Sequence, residues 1–396
     1  MTKAKQILKR PVLLLLLHLG KLFKRLFDKS FDGKNIRNIL IFQLGGIGDV
    51  LMVFPVFEAL SKAYPDARIT SLTEHGSDLF KLMQGRNSKC VHLRMDFNKG
   101  YLYKLSQIVK LRRHSYDLII VPSRGDGLIE CSIIAFLIGA PYRVGFTARG
   151  AGFLHTNKIE FREDAYIVEQ NLNLLRCIGI EADSSKISLK VPEEDMAFAE
   201  GLLQKHVSDG EMLVIIHPWS KNHSEFKSWP LGNYIGLSRI ILNSYKSKIF
   251  LMGSRSERES SGRFAEKLRH NGLIDLTGET SLLQTAALIQ RAALFIGNDS
   301  SLLHVANALN VPSIGIFGAT SSRQLLSPGN NSTPIFNRNV PCRPCYVHQP
   351  LFRYVCKYDY ECLKTISVEE VMELVREKLN SSYKEQDQNR KISVFH

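Results

Sequence analysis

At 396 residues the chain is too long for one ordinary hydrophobic core and fits two domains plus extensions. A composition 44% hydrophobic and 23% charged excludes large-scale disorder, while the formal charge of +14 is unevenly spread. Eight basic residues against Asp28 in residues 1–30 hold half of that excess. This suits a membrane surface better than a nucleic acid, whose binders spread basic residues over a folded face.

The N-terminal apolar run PVLLLLLHLG (11–20) falls short of the roughly 20 residues a spanning helix needs. No small-x-small cleavage site follows it, and KLFKRLF continues an amphipathic pattern. Leu19, Leu22, Phe23, Leu26 and Phe27 share a helical face opposite Lys21, Lys24, Arg25 and Lys29. Residues 1–34 therefore read as an interfacial helix for anionic lipid. A signal peptide and a plain packed helix are the competing readings. Cys90, Cys131 and Cys177 stand singly in apolar surroundings, as buried thiols of a reducing compartment do.

Asn35–Gln43 reads as a strand, followed by LGGIGD and a helical stretch over 50–64. Further strands are expected at 67–72, 116–122 and 142–145, with helical segments between them. The pattern pauses at Ile187–Pro192 and restarts with a helix over 193–206. Strands at 212–217, 247–252, 273–275, 294–297 and 313–317 then enclose helices over 256–269 and 281–290. Alternating strands and helices imply parallel sheets covered on both faces. The expected division is a domain over 35–190, a second over 191–380 that closes with a helix over 366–379, and a polar tail over 381–396.

Four motifs carry chemistry. In Leu44-Gly45-Gly46-Ile47-Gly48-Asp49 the glycines permit close approach to the backbone, and Asp49 lies at a helix start whose dipole favours its ionised form. The loop is neither a Walker A motif nor a dinucleotide fingerprint. Asp49 is a candidate proton acceptor or a helix cap. The loop after His217-Pro218 offers Ser220, Lys221, His223, Glu225 and Lys227, where a lysine meets a diphosphate or simply faces water. In GSRSERE, Glu257 is a ribose contact or a first-turn acid. The segment Ala293–Gly318 reads as strand, turn, helix and strand, with Asp299, Ser300, Ser301 and His304 at the turn, where helix N–H groups suit phosphate oxygens. Separately, Cys342-x2-Cys345-x10-Cys356-x5-Cys362 offers four thiolates for structural zinc or iron, with unligated thiols and disulfides as alternatives.

Together LGGIGDVLMVFPVFEAL, HPWSKNHSEFKSWPLGNY, GSRSERE and GNDSSLLHVANALNVPSIGIFG resemble glycosyltransferase family 9, the lipopolysaccharide heptosyltransferases, in the family's order over residues 36–330. The resemblance implies an α/β GT-B fold, two Rossmann-like doubly wound domains facing an interdomain cleft. It implies heptose transfer from ADP-heptose with inversion. The family's base falls on Asp49, its phosphate-binding lysine on Lys227 and its ribose-contacting acid on Glu257. The diphosphate loop falls on Asp299, Ser300, Ser301 and His304, where Ser300 replaces a frequent threonine. No cofactor is expected for catalysis.

The resulting expectation is a membrane-associated enzyme at the cytoplasmic face of the inner membrane. It would act on a lipid-linked saccharide, the lipid A–core acceptor, with an anionic membrane surface as a partner and no nucleic acid. A protein O-heptosyltransferase with a cysteine metal finger is the second expectation. An inactive nucleotide-sugar-binding scaffold is the third.

Overall fold

A computed structural model describes residues 14–393, apart from 24, 44, 75–76, 84–89, 97–98, 126, 183–184, 221–224 and 348–354. The chain divides into two compact units: Met1–Ile187 with Val347–Tyr354, and Ser188–Tyr346 with Val355–His396.

The first unit opens with α1 (residues 14–22). There follow β1 (Asn38–Gln43), α2 (Ile47–Leu51), α3 (Phe54–Ala63), β2 (Arg68–Thr73), β3 (Val91–Arg94) and α4 (Tyr101–Arg112). It continues through β4 (Leu118–Val121), α5 (Gly127–Ile138), β5 (Tyr142–Thr147), β6 (Asn157–Glu160) and α6 (Ile167–Arg176). The strands form one parallel sheet in the order β3-β2-β1-β4-β5-β6. The central strand β4, LIIV, is buried throughout, as a strand covered on both faces must be. The single helix expected over 50–64 is two. The chain turns at Met52-Val53, and Pro55 opens α3 in its first turn, where a missing N–H leaves no bond unmade.

The second unit comprises α7 (Glu193–His206), β7 (Met212–His217), α8 (Leu231–Ser244), β8 (Ser247–Leu251), α9 (Arg258–Leu268), β9 (Leu273–Asp275) and α10 (Leu282–Gln290). It goes on with β10 (Leu294–Asn298), α11 (Ser301–Ala308), β11 (Ser313–Ile316), α12 (Ser322–Leu325), β12 (Ser332–Ile335), α13 (Glu361–Lys364) and α14 (Val368–Ser393). Its parallel sheet runs β12-β11-β10-β7-β8-β9. Counted from each unit's first strand, both sheets have the same doubly wound order, which reverses between β1 and β4 and again between β7 and β10. Ligands of such sheets bind beyond the carboxyl ends of the strands at the reversal.

Val371, Met372, Val375 and Leu379 of α14 close the second core against α8, β10 and β11. Trp229 is buried in that core, and its indole N–H donates to Ile366 O at 2.9 Å, so burial leaves no orphaned donor. The helix continues to Ser393, so residues 381–393, expected as a polar tail, are helical.

α1 is docked on the first unit. Leu17 and Gly20 are buried, and a Cβ on Gly20 would strike the Gly150 carbonyl, while one on Gly150 would strike Leu17 O. Only paired glycines let the two backbones meet this closely. Phe27 turns inward onto Phe136, with ring centroids 5.4 Å apart, whereas Leu22, Phe23 and Leu26 remain exposed. The expected apolar face is therefore divided between a packed side and an outer side; residues 1–13 and Lys24 lie outside the described residues. No described helix is long and apolar enough to cross a membrane.

Candidate functional site

In the first unit the loop after β1 holds Asp49. Gly46 caps α2 in extended backbone, and its N–H donates to Asp49 Oδ2 at 2.9 Å. A Cβ on Gly45 would collide with the Asp49 side chain, so the loop has this path only with glycine there. Gly48 lies within the first turn, and its carbonyl accepts from Met52 N–H at 3.2 Å. The other carboxylate oxygen, Oδ1, accepts from the Arg124 guanidinium. Arg124 follows β4, across the strand-order reversal from β1, which is how two residues 75 apart in sequence meet. Its side chain is 7% exposed against 31% for Asp49. Asp49 thus serves both as a helix cap and as a partly exposed carboxylate fixed in place by a buried cation. The residue patterns around position 124 gave no hint of this partner, because the pairing depends on strand order.

In the second unit the residues expected at the donor site gather at the β7–β10 reversal. A 3-10 turn over Glu225–Lys227 brings Lys227 Nζ to 2.6 Å from Asp299 Oδ2. His304 Nε2 lies 3.3 Å from Asp299 Oδ1. Burial alone would raise the Asp299 carboxyl, but the Lys227 ammonium and the His304 hydrogen bond outweigh it and hold the group well below the usual carboxylate range. Ser300 caps α11, yet its hydroxyl meets His217 Nδ1 at 3.0 Å rather than a helix N–H. Burial pushes the His217 imidazole down to about 4. Ser301 is the first residue of α11.

Asn298 ties these loops together. Its Oδ1 accepts from Trp229 N–H and from the Tyr234 hydroxyl, each at 3.0 Å, and its Nδ2 donates to Pro218 O at 2.7 Å. The lysine turn is thereby fastened to the end of β10.

Two expected donor residues are engaged locally. Ser220 shares a 2.7 Å hydrogen bond with Ser228. Glu257 Oε2 accepts from Ser254 N–H at 2.6 Å and from its hydroxyl at 2.8 Å, closing a capping box. Lys221 and His223 lie outside the described residues.

Further polar atoms at this sheet edge lack partners among the described residues, and of their residues only His304 is singled out by the motifs. Trp219 Nε1, Thr277 Oγ1, Thr320 Oγ1 and His304 Nδ1 are buried and have no hydrogen-bond partner among the described residues. Each belongs to a loop or helix that follows a strand of the second sheet. A buried polar atom left so costs about 1–3 kcal/mol. Four along one edge mark where a polar ligand would find complementary groups.

The cysteine cluster does not form the expected metal shell. Among the described residues no three His, Cys, Asp or Glu side chains stand in position to hold an ion. The four thiols are neighbours nonetheless. Burial, then the charges of Cys345, Cys342 and Cys356, push the Cys362 thiol up to about 11. Cys362 is packed in the apolar core, and Cys356 Sγ accepts from Tyr360 N–H at 3.1 Å. The segment instead buttresses the lysine turn. Cys345 and Tyr346 N–H both donate to Ala319 O, and the Tyr346 ring stacks on Phe226 at 5.4 Å. Of the single cysteines, Cys90 and Cys131 are buried as expected, but Cys177 is exposed at the end of α6.

Comparison with known proteins bears on this arrangement. Residues 104–356 match the model of "Glycosyltransferase family 9 (heptosyltransferase)". Lipopolysaccharide heptosyltransferase 3 of Escherichia coli K12 is 28% identical over 299 residues, covering 69% of this chain and 80% of the relative. The E. coli ADP-heptose lps heptosyltransferase II structure superposes with a TM-score of 0.65 at 20% identity, over 87% of this chain and 99% of that one. The iron-containing dodecameric glycosyltransferase TibC of enterotoxigenic E. coli superposes at 0.53 and 16% identity, over 89% and 78% of the two chains. The structural likenesses establish the fold, and the match over most of the chain establishes the lineage: this protein belongs to glycosyltransferase family 9, the heptosyltransferases, and is a glycosyltransferase.

Proposed function

We propose that the chain moves heptose from ADP-heptose to the lipopolysaccharide inner core, with inversion at the anomeric carbon. The observation that carries this reading is the Lys227–Asp299–His304 group at the start of α11, in which Asp299 and His304 are buried and Lys227 stays partly exposed. Asp299 neutralises and orients the lysine while leaving further ammonium donors for diphosphate oxygens. The α11 N-terminus adds backbone N–H groups and a favourable dipole. The unpartnered Trp219, Thr277 and Thr320 groups are candidate contacts for the nucleoside.

In the transfer step an acceptor hydroxyl oxygen forms a bond to the anomeric carbon as the bond from that carbon to the diphosphate oxygen breaks. Asp49 takes the hydroxyl proton. Lys227 and the groups at Ser300 and Ser301 stabilise charge on the departing ADP. Arg124 holds and aims the Asp49 carboxylate. Glu257 and Ser220 complete the donor loops. The acceptor is a lipid-linked saccharide reached from the cytoplasmic face of the membrane, consistent with the basic, outward-facing N-terminal segment.

Incubating the protein with ADP-heptose, with and without lipid A–core acceptor, tests the proposal. Acceptor-dependent ADP release with heptose on the product supports it. Release only with a protein acceptor replaces it with protein O-heptosylation, and no release with any acceptor leaves a nucleotide-sugar-binding scaffold.

A further inference from the structure

Exposed large apolar side chains are concentrated on one part of the molecule. Of thirteen among the described residues, ten belong to the first unit, and all ten lie on the α1 segment, α4 or α5. Scattered single residues of this kind are ordinary, but a contiguous set marks a surface that something covers.

The three helices are neighbours in one layer. Ile108 and Leu111 of α4 share a core with Cys131, Ile134 and Ile138 of α5 over β1 and β4. On its other side α5 receives α1, where Leu16 and Leu17 enclose a small gap with Ile129 and Ile133. Phe27 then packs on Phe136 of α5. The order across the layer is therefore α4, α5, α1. α5 is apolar nearly all round, which fits a helix flanked on both sides.

The outer side of this layer is amphipathic. On α4, Leu102, Leu105 and Val109 form a stripe at helical spacing, and Leu102 is 84% exposed. Lys110, Arg112 and Arg113 flank the stripe. On the α1 side, Leu15, Leu22 and Leu26 point outward beside Lys21 and Arg25. Phe136 and Leu137 of α5 join the two. Residues 14–29, 101–113 and 127–138 hold eight basic residues and two acidic ones. Both acids are neutralised, Glu130 by Lys104 and Asp28 by Lys158. Apolar side chains that reach outward among unneutralised cations match the acyl boundary and anionic headgroups of a bilayer.

We propose that α1, α4 and α5 form a single docking face for an anionic lipid bilayer, to which α4 contributes alongside the N-terminal helix. The inference deepens the reading of the acceptor as lipid-linked and rests on it. The face also runs up to the loop after β4: Arg124, the partner of Asp49, lies three residues before α5 begins. Lipid held against α4 and α5 would keep an anchored saccharide close to that carboxylate.

The test is co-sedimentation of the full chain with phosphatidylethanolamine–phosphatidylglycerol vesicles and with phosphatidylcholine vesicles, neither containing acceptor. The variants are Leu102→Glu/Leu105→Glu/Val109→Glu on α4 and Leu15→Glu/Leu22→Glu on α1. All these positions are exposed, and an unchanged circular dichroism spectrum and ADP affinity certify folding. Each variant is expected to lose at least about a hundredfold in partition to the anionic vesicles, from lost apolar burial and added repulsion. The unaltered chain should favour anionic over neutral vesicles, and salt should weaken that preference. Vesicle binding by the α4 variant equal to that of the parent overturns the proposal, as does equal binding to both lipids. A change from dimer to monomer in the α4 variant without a change in vesicle binding also overturns it, because a second copy then covers the face. None of these readouts uses transfer activity, so failure of the proposed reaction appears separately, as absent ADP release.

Discussion

The Asp49 carboxylate is held at both oxygens, by the Gly46 N–H on one side and by the buried Arg124 guanidinium on the other. A carboxylate fixed in this way, acting as the proposed base, loses little orientational freedom when an acceptor arrives. Asp49→Asn should leave ADP-heptose binding unchanged and lower kcat by at least about a hundredfold. Arg124→Met should lower kcat by about tenfold or more with donor affinity retained. Arg124→Lys should recover part of the loss, since an ammonium supplies the charge but not the planar fork. Steady-state kinetics with titration of donor binding separates these effects, and equal losses in kcat and donor affinity would contradict the assignment.

Lys227 pairs with Asp299, and mutation can divide this structural role from the diphosphate contact proposed for it. Removing its ammonium leaves Asp299 buried beside His304 without its cation, so Lys227→Met should cost about 3 kcal/mol of stability and weaken ADP binding by at least about tenfold. Adding Asp299→Asn removes the stranded charge. The double variant should regain most of the stability while ADP binding stays weak. Denaturant unfolding and calorimetric titration of ADP check the two halves; recovery of both together would assign Lys227 a purely structural role.

Two buried histidines set an acid limit. Burial pushes His217 from 6.5 down to about 4. Burial, with the nearby charges of Arg143 and Lys158, pushes His155 down to about 3. Below about pH 6.5 the unfolded chain takes up protons that these folded sites refuse. Each histidine therefore removes about 1.4 kcal/mol of stability per pH unit as pH falls toward its folded value. Both ring nitrogens of His155 lack partners among the described residues, so His155→Leu should flatten the acid dependence of unfolding without loss of stability near neutral pH. An unchanged slope between about pH 6 and about pH 4.5 would contradict this.

The long, periodic parts of the chain were readable from residue order. The strands β7 and β9 and the helix α7 lie where expected to the residue, because their apolar patterns are uninterrupted and, in α7, Glu193, Glu194 and Asp195 suit the helix start. The strands β3, β6 and β12 were not foreseen. They are short edge strands such as VHLR and NKIE, half-exposed and of mixed polarity, whose existence depends on a neighbouring strand. The same limit applies at the site. The grouping of Lys227 with Asp299 and His304 was legible as motifs, whereas the Arg124 partnership and the Asn298 tether arise only once strands are ordered in a sheet. The cysteine spacing suggests a closed shell, but among the described residues no three metal-ligating side chains stand in position to hold an ion, and Cys362 is packed in the apolar core.

If Lys227 and the start of α11 carry the charge on the departing diphosphate as proposed, transfer should not depend on a divalent cation. Acceptor-dependent ADP release should persist in EDTA at a rate within about twofold of the untreated enzyme. Loss of activity that magnesium restores would show that these groups do not suffice.

Asn298 constrains what the site can become. Its amide oxygen receives two donors and its nitrogen feeds one carbonyl, so each end of the group is chemically specified. An aspartate of the same shape would set a carboxylate oxygen against Pro218 O, and a leucine would strand three buried polar groups at once. Substrate preference in this protein can therefore diverge through the side chains that project from the lysine turn, but hardly through the turn's position. One amide makes the lysine turn, the proposed donor loop, a fixed chassis.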